Sequence, residues 1–267
     1  PCPLLPVRRL LSSDVLVTTT TSPDPDVISR ARTIAARLQC PCVGRRHDSL
    51  AALVRRHRVR GALVVDRDQL RLVYHGRSYR FHPNMAHHRV TAVQAGRADR
   101  LLNVSDLQPG DRFLDCTCGL GADAIVAAHA VGSDGQVDAL ETSALLATVV
   151  TDGMARGDHR NPALVAAMRR VVVRHATAEH VLATLPSQSW DVVYFDPMFD
   201  TPVEATTSLG LVRLLAAPDV PSRATLTEAR RVARRCVVVK DSATGTLLER
   251  LGVPVVTTRR HVRYGRG

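Results

Sequence analysis

From residue 107 onward, short apolar runs alternate with segments of helical character, and this alternation constrains the fold more than any other feature. The apolar runs are RFLDCT, QVDALE, RVVVRHA, WDVVYFD and CVVVKD, most of them rich in valine. A helix-like segment separates each run from the next. Strands that alternate with helices are typical of βαβ units, in which helices cover both faces of a parallel sheet. The sequence therefore predicts an α/β fold with a Rossmann-like, doubly wound and mostly parallel sheet.

The first hundred residues show a less regular pattern. Strand-like and helix-like runs occur there at 14–20, 27–38, 61–66 and 70–76, and from Ser49. Asp26 and Ser49 are suited to cap the two helices, because their side-chain oxygens can accept from free N–H groups of a first turn. We therefore predict a small N-terminal α/β domain over 1–98 and a larger domain over 99–267.

The net positive charge of the chain comes entirely from its first hundred residues. The first hundred residues hold 18 arginines, no lysine and seven acidic residues, whereas the remainder is balanced, and the whole chain carries a formal charge of +11. Such an asymmetry favours a surface for a polyanion, and RNA is the partner we predict. Arg55 and Arg56, in a dense basic run, are the first candidates for phosphate contact. A generally arginine-rich composition, with these side chains simply solvated, is the alternative.

Composition narrows the class of protein further. No apolar run approaches the roughly 18 residues that a membrane span needs, so we predict no membrane partner. The six cysteines include two Cys-x-Cys pairs, but this spacing is too tight for the usual zinc knuckle, and no metal is predicted. Reduced cysteines in a cytoplasmic protein are the expectation.

A glycine-containing loop follows the first of the regular strands. It reads Asp115-x-Thr117-x-Gly119-x-Gly121, and Glu141 ends the next strand. Glycines let the backbone approach a ligand closely, and a carboxylate at the second strand end can accept from ribose hydroxyls. A binding site for a nicotinamide dinucleotide has a similar loop and acid. However, Asp115 precedes the glycines here, and a carboxylate at that place attracts a cationic ligand and repels a pyrophosphate. The loop thus favours S-adenosylmethionine, a sulfonium compound, over NAD; a turn without a ligand is the bland alternative.

A second polar motif ends the fourth regular strand. The apolar run Trp190–Phe195 predicts a strand buried on both faces, and Pro197 stops it because proline lacks the N–H that the ladder needs. Asp196 is thereby fixed where open α/β sheets place their ligands. An aspartate there can accept an N–H from an exocyclic amine of a base and so direct the lone pair of the amine nitrogen at a methyl donor. Phe199 can stack on the same base. A turn cap at Asp196 and simple packing of Phe199 are the alternatives.

The motifs LDCTCGLGADA, LETS, DVVYFDPMF and CVVVK together resemble class I S-adenosylmethionine-dependent methyltransferases. More narrowly, they resemble the family of small-subunit ribosomal RNA guanine-N2 methyltransferases, while TTTT and FHPNMAHHR are similar to a sister branch of methyltransferases. The similarity covers about residues 80–245. It implies the class I methyltransferase fold, S-adenosylmethionine as cofactor and guanine N2 as the methyl acceptor.

The resemblance also implies roles for individual residues. Asp115, Gly119 and Gly121 are expected to hold the methionine part and Glu141 the ribose. The remaining cofactor candidates are Thr117, Asp123, Thr142 and Ala176. Many relatives carry an acid after the third strand to bind adenine, whereas here that place reads HATAE, so we expect backbone and apolar contacts to the adenine instead. Asp196, Pro197 and Phe199 are expected beside the target base, with the Pro197 carbonyl accepting the second N–H.

Three further residues are candidates for substrate binding. Lys240, the only lysine, ends the fifth strand and can contact phosphate or base, although a lysine extending from a strand end to solvent fits equally well. His82 and Asn84 lie in a histidine-rich segment that we interpret as a loop reaching the active site or as a packed linker. The predicted function is methylation of ribosomal RNA. Another amine in transfer RNA, DNA or a small molecule, and a non-catalytic RNA-binding protein, are the alternatives.

Overall fold

The computed structural model describes residues 10–74, 76–198, 215, 219–259 and 261–267. Contacts among them divide the chain into two compact units. The first unit draws its described residues from Pro1–His82, Ser143–Gly157 and Pro202–Ala217, and the second from Pro83–Thr142, Asp158–Thr201 and Pro218–Gly267. The domain boundary at residue 98 stays a prediction.

The first unit is built on a four-stranded sheet with the order β1-β2-β3-β4. Its strands are β1 (Val15–Thr19), β2 (Gly61–Val65), β3 (Leu70–Tyr74) and β4 (Arg77–Arg80), and its helices are α1 (Pro25–Leu38), α2 (Leu50–Arg56) and α6 (Ala144–Arg156). β1 and β2 are parallel, and the other two pairings are antiparallel. Every residue of β1 and β2 is buried, as expected for strands covered on both faces.

The helix caps of this unit agree with the sequence in one case and differ in the other. Ser49 caps α2, and its Oγ accepts from the N–H of Ala52 at 3.1 Å. The prediction of Asp26 as the cap of α1 is wrong, because Asp24 accepts from the N–H of Val27 at 2.8 Å. Pro25 explains the difference, since proline suits the first helical position, where its missing N–H would have no partner.

The second unit contains the remaining elements. Its strands are β5 (Arg112–Asp115), β6 (Gln136–Glu141), β7 (Val171–His175), β8 (Trp190–Phe195), β9 (Ala233–Ser242), β10 (Val255–Arg259) and β11 (Val262–Arg266). Its helices are α3 (Asn84–Gln94), α4 (Arg100–Ser105), α5 (Ala122–Val131), α7 (Pro162–Arg170), α8 (Ala178–Thr184), α9 (Arg223–Val232) and α10 (Leu247–Leu251). The segment predicted as a loop around His87 is therefore a helix, α3.

The seven strands form one sheet in the order β10-β11-β9-β8-β5-β6-β7. The pairings from β9 across to β7 are all parallel, and β11 runs antiparallel to both of its neighbours. The chain order reverses at β5, which lies between β6 and β8. Ligands of open α/β sheets bind at the carboxyl ends of the strands at such a reversal. The predicted α/β class, with its mostly parallel sheet, is confirmed, and the reversal marks where to look for a site.

Alternate residues of β8 face opposite sides of the sheet. Val193 and Phe195 belong to a buried cluster that includes Leu182 of α8, Leu226 of α9 and Leu248 of α10. Tyr194 points to the other side, where its hydroxyl donates to Asp123 in α5 at 2.9 Å. This period of two follows from the pleat of the strand and explains the uniformly apolar character of the run.

None of the helices in the described part of the chain combines the length and the apolar character that crossing a membrane demands.

Candidate active site

The loop between β5 and α5 brings the first motif to the carboxyl edge of the sheet. Asp115 is buried at the end of β5, and its Oδ1 accepts from the N–H of Thr117 at 3.0 Å. Gly119 and Gly121 have φ values of +53° and +75° in the left-handed region, which glycine adopts without a steric penalty. Burial raises the pKa of Asp115 well above its ordinary value, opposed by the hydrogen bond from Thr117.

The end of β6 meets the same loop. Glu141 is 6% exposed, and its Oε2 accepts from the N–H of Gly119 at 3.1 Å. Its carbonyl oxygen accepts from the N–H of Ala176, which follows β7, at 3.1 Å. Thr142 follows Glu141 directly and is partly buried. The structure thus brings most of the predicted cofactor residues to one edge, at the ends of three neighbouring strands.

The Asp-Pro motif ends the adjoining strand, β8. The N–H of Asp196 donates to Thr117 Oγ1 at 2.6 Å, so the two motifs are joined directly. Pro197 is buried, and the side chain of Asp196 is 24% exposed. Phe199 lies outside the described residues, and its predicted stacking role stays a prediction.

Lys240 lies beside Asp196 because Val239 of β9 pairs with Phe195 of β8. Its Nζ donates to Asp196 Oδ2 at 2.6 Å and lies 3.6 Å from Asp123 Oδ2. The lysine side chain is only 19% exposed and is directed at carboxylates. The predicted contact of Lys240 with a substrate stays a prediction.

The pKa values of this group follow from burial and from mutual charge. Burial raises the pKa of Asp196 to about 6, with Lys240 opposing the shift and Asp123 adding to it. Burial alone would lower the pKa of Lys240, but Asp123 and Asp196 outweigh it and raise that pKa. The ammonium is therefore charged at neutral pH, and Asp196 titrates closest to neutrality among these groups.

Arg89 is a second cation that contacts this group of charged side chains. Arg89 of α3 donates to Asp123 Oδ1, and its Nε and Nη2 donate to Asp99 at 2.7 and 2.9 Å. Asp123 also accepts from the hydroxyl of Tyr194. Its pKa is lowered, since Lys240 and Arg89 outweigh its burial. Both oxygens of Asp123, a predicted cofactor residue, thus meet protein donors.

A small cavity adjoins this edge of the sheet. Its volume is about 230 Å³, and its lining includes Thr117, Thr177, Ala178, Glu179 and Phe195. It therefore extends the site from the loop after β5 towards the residues that follow β7.

A sequence model of one protein family matches residues 48–265, and that family is described as "Putative SAM-dependent methyltransferase", SAM being S-adenosylmethionine. The match covers far more than half of the chain. The chain belongs to this family.

Individual relatives and one solved structure are similar to the chain. The chain is 36% identical over 242 residues to "Uncharacterized protein YpiP" of Bacillus subtilis, covering 90% of this chain and 94% of that protein. It is 32% identical over 139 residues to "Ribosomal RNA small subunit methyltransferase J" of Pseudoalteromonas atlantica, spanning 49% of this chain and 53% of that relative. The crystal structure of a SAM-dependent methyltransferase from Neisseria gonorrhoeae shares the fold, with a TM-score of 0.63, 20% identity and 94% of each chain covered.

The four other predicted substrate residues do not belong to the strands that carry the site. Arg55 and Arg56 are exposed on α2 in the first unit, and Arg56 pairs with Asp48 at 2.9 Å. His82 is exposed and closes the first unit along the chain, whereas Asn84 begins α3 in the second unit. Among the described residues no three His, Cys, Asp or Glu side chains are grouped to hold a metal ion.

Sequence reasoning missed Arg89 and its contacts with Asp99 and Asp123. Arg89 is the last residue of the FHPNMAHHR motif, but nothing in that motif indicates its partners, and Asp99, ten positions later, belongs to no recognised motif. Tyr194 did carry a usable signal, because a tyrosine within an otherwise apolar buried strand needs a partner for its hydroxyl. That signal indicates a polar neighbour on the Tyr194 face without saying which residue supplies it.

Proposed function

We propose that this methyltransferase transfers a methyl group from S-adenosylmethionine to the exocyclic N2 amine of a guanine in small-subunit ribosomal RNA. The observation that carries the proposal is the carboxylate of Asp196, fixed at the carboxyl edge of β8 and joined through Thr117 to the glycine loop. The relatives named as small-subunit ribosomal RNA methyltransferases support the choice of RNA. A ribosomal RNA substrate also agrees with the cytoplasmic location that the cysteines predict.

The residues at this edge fit S-adenosylmethionine. Glu141 presents a buried carboxylate whose direction is fixed by the N–H of Gly119, as recognition of ribose hydroxyls requires. The left-handed backbone at Gly119 and Gly121 leaves no side chain between the loop and a ligand. Asp115, at the end of β5, would hold the methionine part of the cofactor. When bound, S-adenosylmethionine supplies an electrophilic methyl group.

Asp196 prepares the acceptor amine. The lone pair of an exocyclic amine is delocalised into the base, so the nitrogen is a weak nucleophile. A carboxylate that accepts one N–H localises the pair and aims it at the methyl carbon. The transfer would release S-adenosylhomocysteine as the leaving group, and Asp196 would accept the amine proton and pass it to water. The carbonyl of Pro197 can accept the second N–H.

Lys240 keeps Asp196 in the charged form that this step needs. Its ammonium lies 2.6 Å from the carboxylate and opposes the effect of burial on the pKa of Asp196. Asp123 and Arg89 fix the ammonium in turn, which leaves the lysine little freedom to turn away. Lys240 is thus a positioning residue in the proposed reaction.

The arginines of the first hundred residues supply the charge for RNA. Arg55 lies exposed on α2 without an ion pair among the described residues, whereas Arg56 pairs with Asp48, which is partly buried. Such side chains suit phosphate contacts, which give affinity without sequence preference.

Incubation of the purified protein with labelled S-adenosylmethionine and total bacterial RNA tests the proposal. We expect label in small-subunit ribosomal RNA, and nuclease digestion should release it as N2-methylguanosine. Label in another RNA, in DNA or in a small molecule would overturn the substrate assignment. Cofactor binding without transfer to any nucleic acid would overturn the enzymatic proposal.

A further inference from the structure

A cavity of about 510 Å³ lies in the second unit, against α4, β10 and β11. Its lining includes Arg100 and Asn103 of α4, Arg259 of β10 and Arg266 of β11. Arg100, Asn103 and Arg259 are exposed, and Arg266 is partly buried. Arginines from three separate elements therefore line one surface depression.

These arginines differ from others in the same unit. Arg174 pairs with Asp138 at 2.6 Å and Arg263 with Asp241 at 2.8 Å, as structural arginines do. Arg100 and Arg259 make no ion pair among the described residues. The side chain of Arg266 donates to a main-chain oxygen, that of Val104, at 3.2 Å. An arginine-rich composition explains many arginines, but it does not explain why these line one cavity without a described carboxylate partner of their own.

Among the described residues of the cavity lining, the one acidic residue already has an arginine partner. Asp99 lines the cavity, yet both of its carboxylate oxygens accept from Arg89, at 2.7 and 2.9 Å. The cavity therefore keeps three positive charges that the described residues do not balance. Guanidinium groups in this state are suited to oxyanions, and above all to phosphates.

The cavity is connected to the proposed active site in two ways. Asp99 holds Arg89, and Arg89 also pairs with Asp123, the carboxylate next to Lys240. The strand register is the second connection. Arg259 pairs with Val262, and Val262 pairs with Ser242, two positions after Lys240. Arg259 thus lies at the end of the sheet that carries Asp196.

We propose that this cavity binds the phosphodiester backbone of the RNA strand that carries the target base. The inference rests on the proposed function and names the surface of the second unit that positions the RNA. Charges spread over α4, β10 and β11 suit consecutive phosphates better than a single small anion. Val256, 51% exposed, adds an apolar wall against which a ribose can pack.

The double variant Arg100→Gln, Arg259→Gln tests this surface, because neither side chain has a described partner that folding would miss. RNA affinity is measured by filter binding across a salt series, and methyl transfer is measured against RNA concentration. Each lost phosphate contact to a single strand reduces the salt slope by about 0.7, so we expect a reduction of about 1.4. KM for RNA should rise about tenfold or more, with a smaller change in kcat, since phosphate contacts act alike in ground and transition states.

Arg250→Gln is the matched control. Arg250 is an exposed arginine at the end of α10, away from the cavity lining, and its removal should leave KM and the salt slope unchanged. A third variant, Arg266→Gln added to the pair, should weaken RNA binding further. An unchanged slope and KM in the double variant, or equal effects of Arg250→Gln, would overturn the cavity assignment.

Two more measurements separate the possible failures. If the wild type binds S-adenosylmethionine but methylates no RNA, the proposed function fails; if it methylates RNA and the double variant does so identically, the cavity assignment alone fails. Inorganic phosphate is titrated as a competitor of RNA binding. Competition at micromolar phosphate that the double variant abolishes would identify a site for a free small anion and would contradict an RNA backbone site.

Discussion

Two pairs of acidic side chains line the same edge of the second unit, but they are held differently. On the cofactor side, Asp115 and Glu141 accept from main-chain N–H groups of the glycine loop, at 3.0 and 3.1 Å. On the proposed acceptor side, Asp196 shares Lys240 with Asp123, a predicted cofactor residue, and their carboxylates lie 2.6 and 3.6 Å from the ammonium. Main-chain donors are neutral and survive side-chain substitution, whereas an ammonium can be removed. We therefore expect the acceptor side to respond most strongly to pH and to single substitutions.

The largest expected effect comes from Asp196→Asn. The amide keeps the size of the side chain but cannot accept an N–H with a full negative charge, so transfer should fall by about 10²- to 10⁴-fold. Cofactor affinity, measured by calorimetry, should change little, because Asp115 and Glu141 are untouched.

Glu141→Gln is the matched control on the cofactor side. In this variant cofactor affinity should change more than the rate of transfer, the reverse of Asp196→Asn. Weakened cofactor binding is expected there, with a smaller loss of kcat. Transfer by Asp196→Asn within threefold of the wild type would rule out the amine-binding role of this carboxylate.

Lys240→Gln should have the next largest effect. Lys240 opposes the raised pKa of Asp196, so its loss should raise that pKa further and leave less carboxylate at neutral pH. We expect transfer at pH 7 to fall by roughly 10- to 100-fold, in proportion to the protonated fraction. Part of that loss should be recovered at pH 9.

Removing a buried cation also destabilises the fold, by about 3–5 kcal/mol for a broken buried pair. The shape of the pH profile distinguishes the two effects, because a smaller folded fraction lowers all rates alike. Lys240→Arg keeps the charge and should keep the acidic limb near its wild-type position. An unshifted limb in Lys240→Gln would remove the lysine from the mechanism.

The wild-type pH dependence is a milder test of the same side. The pKa of Asp196 is raised to about 6, so the reactive carboxylate is present above that pH and is lost as pH falls through it. Single-turnover transfer should therefore decline below about pH 6, by up to tenfold per pH unit. Cofactor affinity measured over the same range should stay flatter, and a rate independent of pH between 5 and 7 would contradict the assignment.

The same contrast explains how much the sequence could predict. Asp115, Thr117 and Gly119 lie within five positions of one another, so motif and spacing predicted that they share one loop after β5, although the contacts of that loop with Glu141 and Asp196 are long-range. Strands β1 to β3 and β5 to β9 followed from local periodicity in the same way, whereas β4, β10 and β11 were not predicted. The contact of Lys240 with Asp196 depends on the register of β8 against β9, between residues 44 positions apart. Such a register is set by packing of the whole sheet, which a single sequence does not reveal.

Helix α3 shows a different reason for failure. The segment around Asn84–Gln94 has histidines and a proline at its start, and its apolar residues follow no clear helical period. Its ion pair from Arg89 to Asp99 and Asp123 is a tertiary contact. Local propensity is a weak guide when tertiary contacts of this kind stabilise a helix.

Gly119→Ala tests the cofactor side and should have the smallest effect. At φ +53° an added Cβ would have its nearest neighbour 3.9 Å away, so the cost is backbone strain of about 1 kcal/mol rather than a clash. Relaxation of that strain would move the N–H away from Glu141, and we expect cofactor affinity to fall by about tenfold with kcat little changed.

Gly252→Ala separates strain from function. Gly252 caps α10 at φ +67° with nothing within 4 Å of an added Cβ, so it should lose similar stability in thermal unfolding. Its cofactor affinity should nevertheless equal that of the wild type. If both alanine variants bound the cofactor equally well, the main-chain contact between Gly119 and Glu141 would have no part in cofactor binding, and the distinction between the two sides would reduce to the acceptor carboxylates alone.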